Sequence, residues 1–290
     1  MDRAGEDAVK PAGIPYDKLV LRNDAFISPS LQDKIRATRI LVAGCGLGSV
    51  ITEAAVRIGY EKFILADGDT VEAHNLNRQI YVANNVGMFK VDALADRIGA
   101  INPSAQIVRV NTWITEANVA DLVARSEMIF DTVDFLDLPA ITSLHDEAHR
   151  QGKPIISAFA AGWGAVAIYF PPTKSKNALF RDLFGLPPTG SVKGASYVDY
   201  FAPLIKKLAP HLDPTVTKAL SVVFKKMKDG SPCPGSQVSA GSFSVAGLAI
   251  TMAARILNGD KITSAPEFVI VNIAEACASA GIRLNGVLSP

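Results

Sequence analysis

The stretch Asp67-Gly68-Asp69-Thr70-Val71-Glu72-Ala73-His74-Asn75-Leu76-Asn77-Arg78-Gln79 gathers carboxylates, amides and a guanidinium in one short run. It follows a glycine cluster, Gly44-Cys45-Gly46-Leu47-Gly48. A glycine-rich turn between a strand and a helix lets backbone N–H groups approach a phosphate, and the helix dipole favours negative charge there. Asp67 closes the next apolar run, where a ribose hydroxyl would be held. The pair reads as a nucleotide site. The glycine spacing is not the dinucleotide-binding GxGxxG, because the third position is Ser49 counted from Gly44 and Ile51 counted from Gly46. A nicotinamide reading is handicapped by that spacing.

The elements that must position these residues alternate. Arg39–Ala43 is a β-branched run feeding the glycine cluster, and a helical pattern follows with Ile51, Ala54, Ala55 and Ile58 on one face, closed by Gly59. Phe63–Ala66 reads as the second strand, Lys90–Ile101 as a helix stopped by Asn102-Pro103. Strands recur at Ile107–Val110, Met128–Phe130 and Ile155–Ser157, with helices expected over Thr115–Ala124 and Asp137–Gln151. Such alternation implies a parallel sheet covered on both faces. Gly164–Phe170 adds a further strand, read as antiparallel.

With the elements in place, the motifs resemble the ThiF/MoeB family, the adenylyltransferases related to ubiquitin-activating enzymes. The D-x-D-x-V-x-x-x-N-L-x-R-Q string is met from Asp67 to Gln79, and V-G-x-x-K from Val86 to Lys90. Asp131-Thr132-Val133-Asp134 follows, and upstream stand Arg22-Asn23 and Ser28-Pro29-Ser30-Leu31-Gln32. The resemblance covers Leu21 to Phe170 well and Val238 to Ile273 more loosely. It implies a Rossmann-like doubly wound, mostly parallel sheet with an inserted, partly helical crossover segment. It further implies ATP and Mg²⁺, with a carboxylate activated as an acyl adenylate and pyrophosphate leaving. In that chemistry negative charge builds across the phosphates and needs positioned cations. By the same resemblance, Asp67 and Asp69 belong to the nucleotide site, together with Gly44, Gly46 and Gly48. Asn75, Arg78 and Lys90 would contact the phosphates, and Asp134 would bind Mg²⁺. Arg22 would reach the neighbouring protomer of a homodimer. The expected acceptor is the C-terminus of a small protein or peptide; a small molecule, a tRNA nucleoside or a non-catalytic scaffold role are the alternatives. Three departures stand out: the glycine loop lacks a doubled glycine, Phe135 follows Asp134 where the family has Asn, and both CxxC zinc pairs are missing, so no zinc is expected.

Composition sets the remaining bounds. Lys+Arg 29 against Asp+Glu 28 in 290 residues gives a net charge of +1, which argues against nucleic acid as the partner of the whole chain. Hydrophobic residues at 49% supply a core and exclude disorder as a class. The expected organisation is a flexible N-terminus (1–15), a nucleotide-binding domain (16–170), a substrate-facing insertion (171–235) and a closing helix and strand (236–290). The insertion alone is basic, with a balance of +6. The apolar stretches Pro154–Phe170 and Gly230–Ala254 are broken by Gly, Pro and Ser and are read as core, not membrane spans. No signal peptide is readable, so a cytoplasmic location is expected. Of the three cysteines, Cys45 lies in the glycine turn, Cys277 reads as filler, and Cys233 between two prolines is the one thioester candidate. His145 and His149, four apart in HDEAH, are read as a solvated helix face and not a metal pair.

Overall fold

The computed structural model describes residues 13–172, 179–192, 197–228 and 235–279. Most of the N-terminal segment (1–12) and Cys233 lie outside the described residues. In chain order the strands are Arg39–Ala43 (β1), Lys62–Ala66 (β2), Gln106–Val110 (β3), Met128–Asp131 (β4), Ile155–Ala161 (β5), Gly164–Phe170 (β6) and Val269–Asn272 (β7). The helices are Tyr16–Leu19 (α1), Pro29–Ala37 (α2), Gly48–Ile58 (α3), Lys90–Ile101 (α4), Val119–Ala124 (α5), Leu138–Arg150 (α6), Phe180–Phe184 (α7), Tyr197–Leu208 (α8), Pro214–Lys228 (α9), Ser239–Asn258 (α10) and Ile273–Ser279 (α11).

All seven strands form one sheet, ordered β3-β2-β1-β4-β5-β6-β7. The first five are parallel, while β6 pairs antiparallel with both β5 and β7. Alternate β1 side chains enter opposite cores, as the two-residue period of a strand requires. Ile40 and Val42 meet α2, α3, α4 and α10, whereas Leu41 and Ala43 meet α5, α6 and α7. Both faces are therefore covered, and the expected doubly wound sheet is the observed one. The direction of winding reverses between β1 and β4, where Ala43 stands opposite Asp131. Open α/β sheets bind ligands at the carboxyl ends of strands flanking such a reversal.

Several boundaries differ from the sequence reading. The helix expected from Thr115 begins at Val119, because Asn118 Oδ1 accepts from the Thr115 amide at 2.9 Å and Thr115–Asn118 closes as a turn. β5 runs on to Ala161 and turns through Gly162-Trp163 into β6. Within the apolar stretch Gly230–Ala254, a helix starts at Ser239 and runs to Asn258, where Gly259 caps it. The helix α10 is long and apolar enough, by length and composition, to cross a membrane. Its face of Val245, Ala249 and Ala253 is fully buried in the sheet core, where it also meets α3.

Candidate nucleotide site

The glycine turn follows β1 at the reversal point. Gly44 has φ +87°, and a Cβ there would lie 2.3 Å from the Thr132 carbonyl oxygen. Any side chain would separate the glycine turn from the 131–134 turn. Gly48 has the same office one helical turn on, since its Cβ would lie 2.6 Å from Val42 Cγ1 and 2.7 Å from Thr132 Oγ1. Thr132 seals the contact by donating from its amide to Ala43 O at 2.9 Å and from Oγ1 to Gly44 O at 2.7 Å. The Gly44 and Cys45 amides are also committed, to Ala66 O (2.9 Å) and Asp67 Oδ2 (2.6 Å). Among the described residues the amides of Gly46, Leu47 and Gly48 donate to no protein acceptor, and α3 has no side-chain N-cap. Three donors at the positive end of an eleven-residue helix form an anion site.

Asp67 sits at the end of β2 with its carboxylate buried. Oδ2 accepts from Cys45 N and Oδ1 from Asp69 N at 2.8 Å. Burial raises its pKa, opposed by those two amide bonds and by the Lys90 charge. A carboxylate has about four acceptor positions, so two remain for hydroxyl donors. Lys90, first residue of α4, is also buried, and its Nζ pairs with Asp69. The Lys90 amide bonds Asp69 O at 2.9 Å, locking the two residues in backbone as well as side chain. Tyr81, which the sequence reading passed over, lies with its hydroxyl 2.6 Å from Cys45 O and 3.2 Å from Lys90 O. It ties the glycine turn to the start of α4.

Arg78 is half-buried and donates to His74 O and Asn77 Oδ1, both at 3.0 Å. Burial lowers its pKa and the nearby Asp134 charge opposes this, so the two side chains share one field. Asp134 is exposed, with Oδ1 accepting from Leu136 N at 3.0 Å. Asn75 is buried and its Oδ1 accepts from Glu72 N at 3.0 Å, closing the short Ala73–Asn75 turn. Its carboxamide oxygen is thus part of the scaffold.

Arg22 stands apart. Its turn is anchored by Asn23 Nδ2 donating to Ile58 O at 3.0 Å, at the carboxyl end of α3. With a 1.5 Å rise per residue, that anchor lies about 15 Å along the helix from the glycine turn. Arg22 is exposed there, between Leu21 (61% exposed) and Phe26 (92% exposed).

One expectation is corrected. His145 does not lie on a solvated face: it is buried, with Nε2 2.9 Å from Asp131 Oδ2 and 3.0 Å from Ser157 Oγ. Phe180 stacks on its ring at 4.4 Å. His149 is half-exposed. Among the described residues no group of three or more His, Cys, Asp or Glu side chains could hold a metal ion. Cys45 is buried, which pushes its thiol pKa well up, and Cys277 is exposed on α11.

A doubly wound sheet with amide donors, Asp67, Lys90, Arg78 and Asp134 gathered around its reversal point defines a protein of the Rossmann-like class. The sequence pattern of the ThiF family matches residues 20–279, and the chain belongs to that family. Among curated relatives, the maize (Zea mays) adenylyltransferase and sulfurtransferase MOCS3-1 is 28% identical over 193 residues, 64% of this chain and 40% of that protein. The Aspergillus fumigatus adenylyltransferase and sulfurtransferase uba4 is 32% identical over 166 residues, 54% of this chain and 33% of the relative. The SAMP-activating enzyme E1 of Haloferax volcanii is 27% identical over 143 residues, covering 49% and 52%. The match thus spans between a third and about half the length of these relatives. Solved structures share the fold: PaaA superposes with a TM-score of 0.61 at 17% identity, over 93% of this chain and 75% of that one. E. coli MccB with ATP gives 0.57 at 17% identity, over 79% and 59%.

Proposed function

We propose that this chain is an ATP-dependent adenylyltransferase that activates a carboxylate as an acyl adenylate with release of pyrophosphate. The observation that carries the reading is the convergence of α3's three free amides, buried Lys90 and the neighbouring charges of Arg78 and Asp134 at the sheet's reversal point. Asp67 would take the ribose hydroxyls, and the α3 amides with Lys90 the phosphates. The ion pair with Asp69 holds the Lys90 ammonium in place, so an arriving phosphate oxygen would meet a positioned cation. Arg78 faces the region where charge grows as the α-phosphate is attacked, which is where a fixed cation lowers a barrier most. Asp134 fits Mg²⁺: it is an exposed hard-oxygen ligand, and Mg²⁺ is commonly held by one or two carboxylates plus substrate phosphates and water. Bound there, the ion would neutralise the departing pyrophosphate.

The acceptor we favour is the C-terminal carboxylate of a small ubiquitin-like or sulfur-carrier protein, or of a peptide. Relatives named as adenylyltransferases and as a SAMP-activating enzyme support this choice. We also propose a homodimer, because Arg22 is held too far along α3 to serve its own site while its apolar neighbours are exposed. The binding step is tested by thermal melting. ATP with Mg²⁺ should raise Tm by mass-action linkage, about 2.7 kcal/mol of stabilisation at a hundredfold excess over Kd, whereas NAD should leave Tm unchanged. Stabilisation by NAD and not by ATP would overturn the reading.

A further inference from the structure

Behind the turn that carries Asp134 lies a buried polar cluster with no task in the function proposed above. Asp131 ends β4 with its carboxylate buried. Its Oδ2 accepts from Ser157 Oγ of β5 at 2.7 Å and lies 2.9 Å from His145 Nε2 of α6. Its Oδ1 accepts from the Val133 amide at 3.3 Å. A carboxylate cannot donate, so the shared contact puts a proton on His145 Nε2. The cluster is not a nucleophilic relay. Such a relay places its acid and its serine on opposite imidazole nitrogens, whereas here both meet Nε2 and all three side chains are buried.

What the cluster does is set the direction in which the chain leaves β4. Thr132 clamps the 131–134 turn to the glycine turn on one side. Asp131 clamps it to α6 and β5 on the other, and Asp134 is the next acidic side chain beyond both. The imidazole is itself immobilised, stacked on Phe180 with rings 27° apart and meeting Phe170 edge-on at 4.7 Å. We propose that His145 is a positioning residue, holding Asp131 so that the 131–134 turn presents Asp134 to the nucleotide opposite Arg78. The role of Asp134 rests on the adenylation reading; the clamp on the turn does not.

Hydrogen exchange on the ligand-free protein tests the clamp. His145→Phe keeps a ring against Phe180 and removes the donor. The Val133 and Leu136 amides should then exchange about tenfold faster, the factor for a lost hydrogen bond worth about 1.4 kcal/mol, with amides inside α10 unchanged. His145→Gln restores a donor and should return those rates to within about threefold of wild type. Leu144→Ala, at a fully buried neighbour on the same helix, reports general loosening. If His145→Phe does not fold, Ser157→Ala removes another donor to the same oxygen and should act in the same direction. Unchanged exchange at Val133 and Leu136, or equal acceleration by Leu144→Ala, overturns the clamp. In a second arm, the wild type should gain more Tm from ATP with Mg²⁺ than from ATP in EDTA, and His145→Phe should lose only that increment. Retention of the full increment overturns the link to Asp134. A wild type that ignores ATP altogether refutes the adenylation reading, and the exchange data alone then judge the clamp.

Discussion

Lys90 is the buried cation on which the site's electrostatics turn, and its stability and its function pull apart. Its side chain is 9% exposed and that of Asp69 is 38% exposed, so the pair is asymmetric. Removing the lysine leaves a carboxylate that water can reach; removing the aspartate leaves an ammonium that water cannot. Asp69→Ala should therefore cost more, about 1–3 kcal/mol for a buried donor left unsatisfied, while Lys90→Met should cost under about 1 kcal/mol. Urea unfolding of both variants checks the order, and a Lys90→Met that is the less stable of the two would contradict it. Asp67 could be singled out from the sequence because it closes an apolar run, and Arg78 and Lys90 because they complete motifs that resemble the family's. His145 could not. Its partners Asp131, Ser157 and Phe180 lie 14, 12 and 35 residues away, and no local window of HDEAH contains what buries it.

Among the elements, α3 must hold its amino end steady against the 131–134 turn, and α4 must hold Lys90. One carboxylate joins the two helices. Glu53 of α3 accepts from Arg97 of α4 at 2.8 and 2.9 Å and from Arg57 on its own helix at 2.7 and 3.1 Å. The Arg97 bond, helped by Arg57 and opposed by burial, holds the Glu53 pKa below its ordinary value. A depressed carboxylate contributes stability that is present above its unfolded pKa of about 4.3 and lost as pH falls through the folded value. The Tm of the wild type should accordingly fall more steeply than that of Glu53→Gln below about pH 5. Parallel slopes in a pH series of melting curves would show that the bridge carries no linkage. The interior of these helices was readable from apolar spacing and from stops such as Gly59 and Asn102-Pro103. The beginnings of α10 and α5 were less so. α10 starts in a Ser- and Gly-rich run, Ser239 to Ser244, that is a poor helix former and is held helical by packing on β5 and β6. Thr115–Asn118 continues a helical pattern and is diverted by a local side-chain bond.

At the scale of the whole molecule, the residues proposed for the nucleotide gather on one chain among the described residues, and Arg22 stands apart from them. The proposed dimer makes a definite prediction. Arg22→Ala and Asp134→Ala should each be inactive alone, yet a mixture whose subunits exchange should regain up to about a quarter of wild-type activity. In the mixed dimer one site draws its own Asp134 and the partner chain's Arg22. No recovery despite demonstrated subunit exchange, or a fully active monomer, would sink the arrangement in trans. The parallel sheet covered on both faces was legible across the molecule because β-branched runs and helical patterns alternate, whereas its strand order, and with it the reversal between β1 and β4, was not. The insertion was legible only as a partly helical segment, and α8 and α9 stand there. That Arg181 of α7 binds Asp146 of α6 at 2.8–2.9 Å, seating the insertion against the helix that carries His145, had no sequence signal.

The central claim is attack on the α-phosphate, and isotope exchange between pyrophosphate and ATP reads it most directly. With Mg²⁺ and a candidate protein or peptide bearing a free C-terminal carboxylate, labelled pyrophosphate should enter ATP. Omitting the carboxylate should stop the exchange, and Arg78→Ala should slow it by about 10²–10³-fold while ATP binding persists. Release of ADP and phosphate in place of exchange, or an exchange rate untouched by Arg78→Ala, would contradict the account.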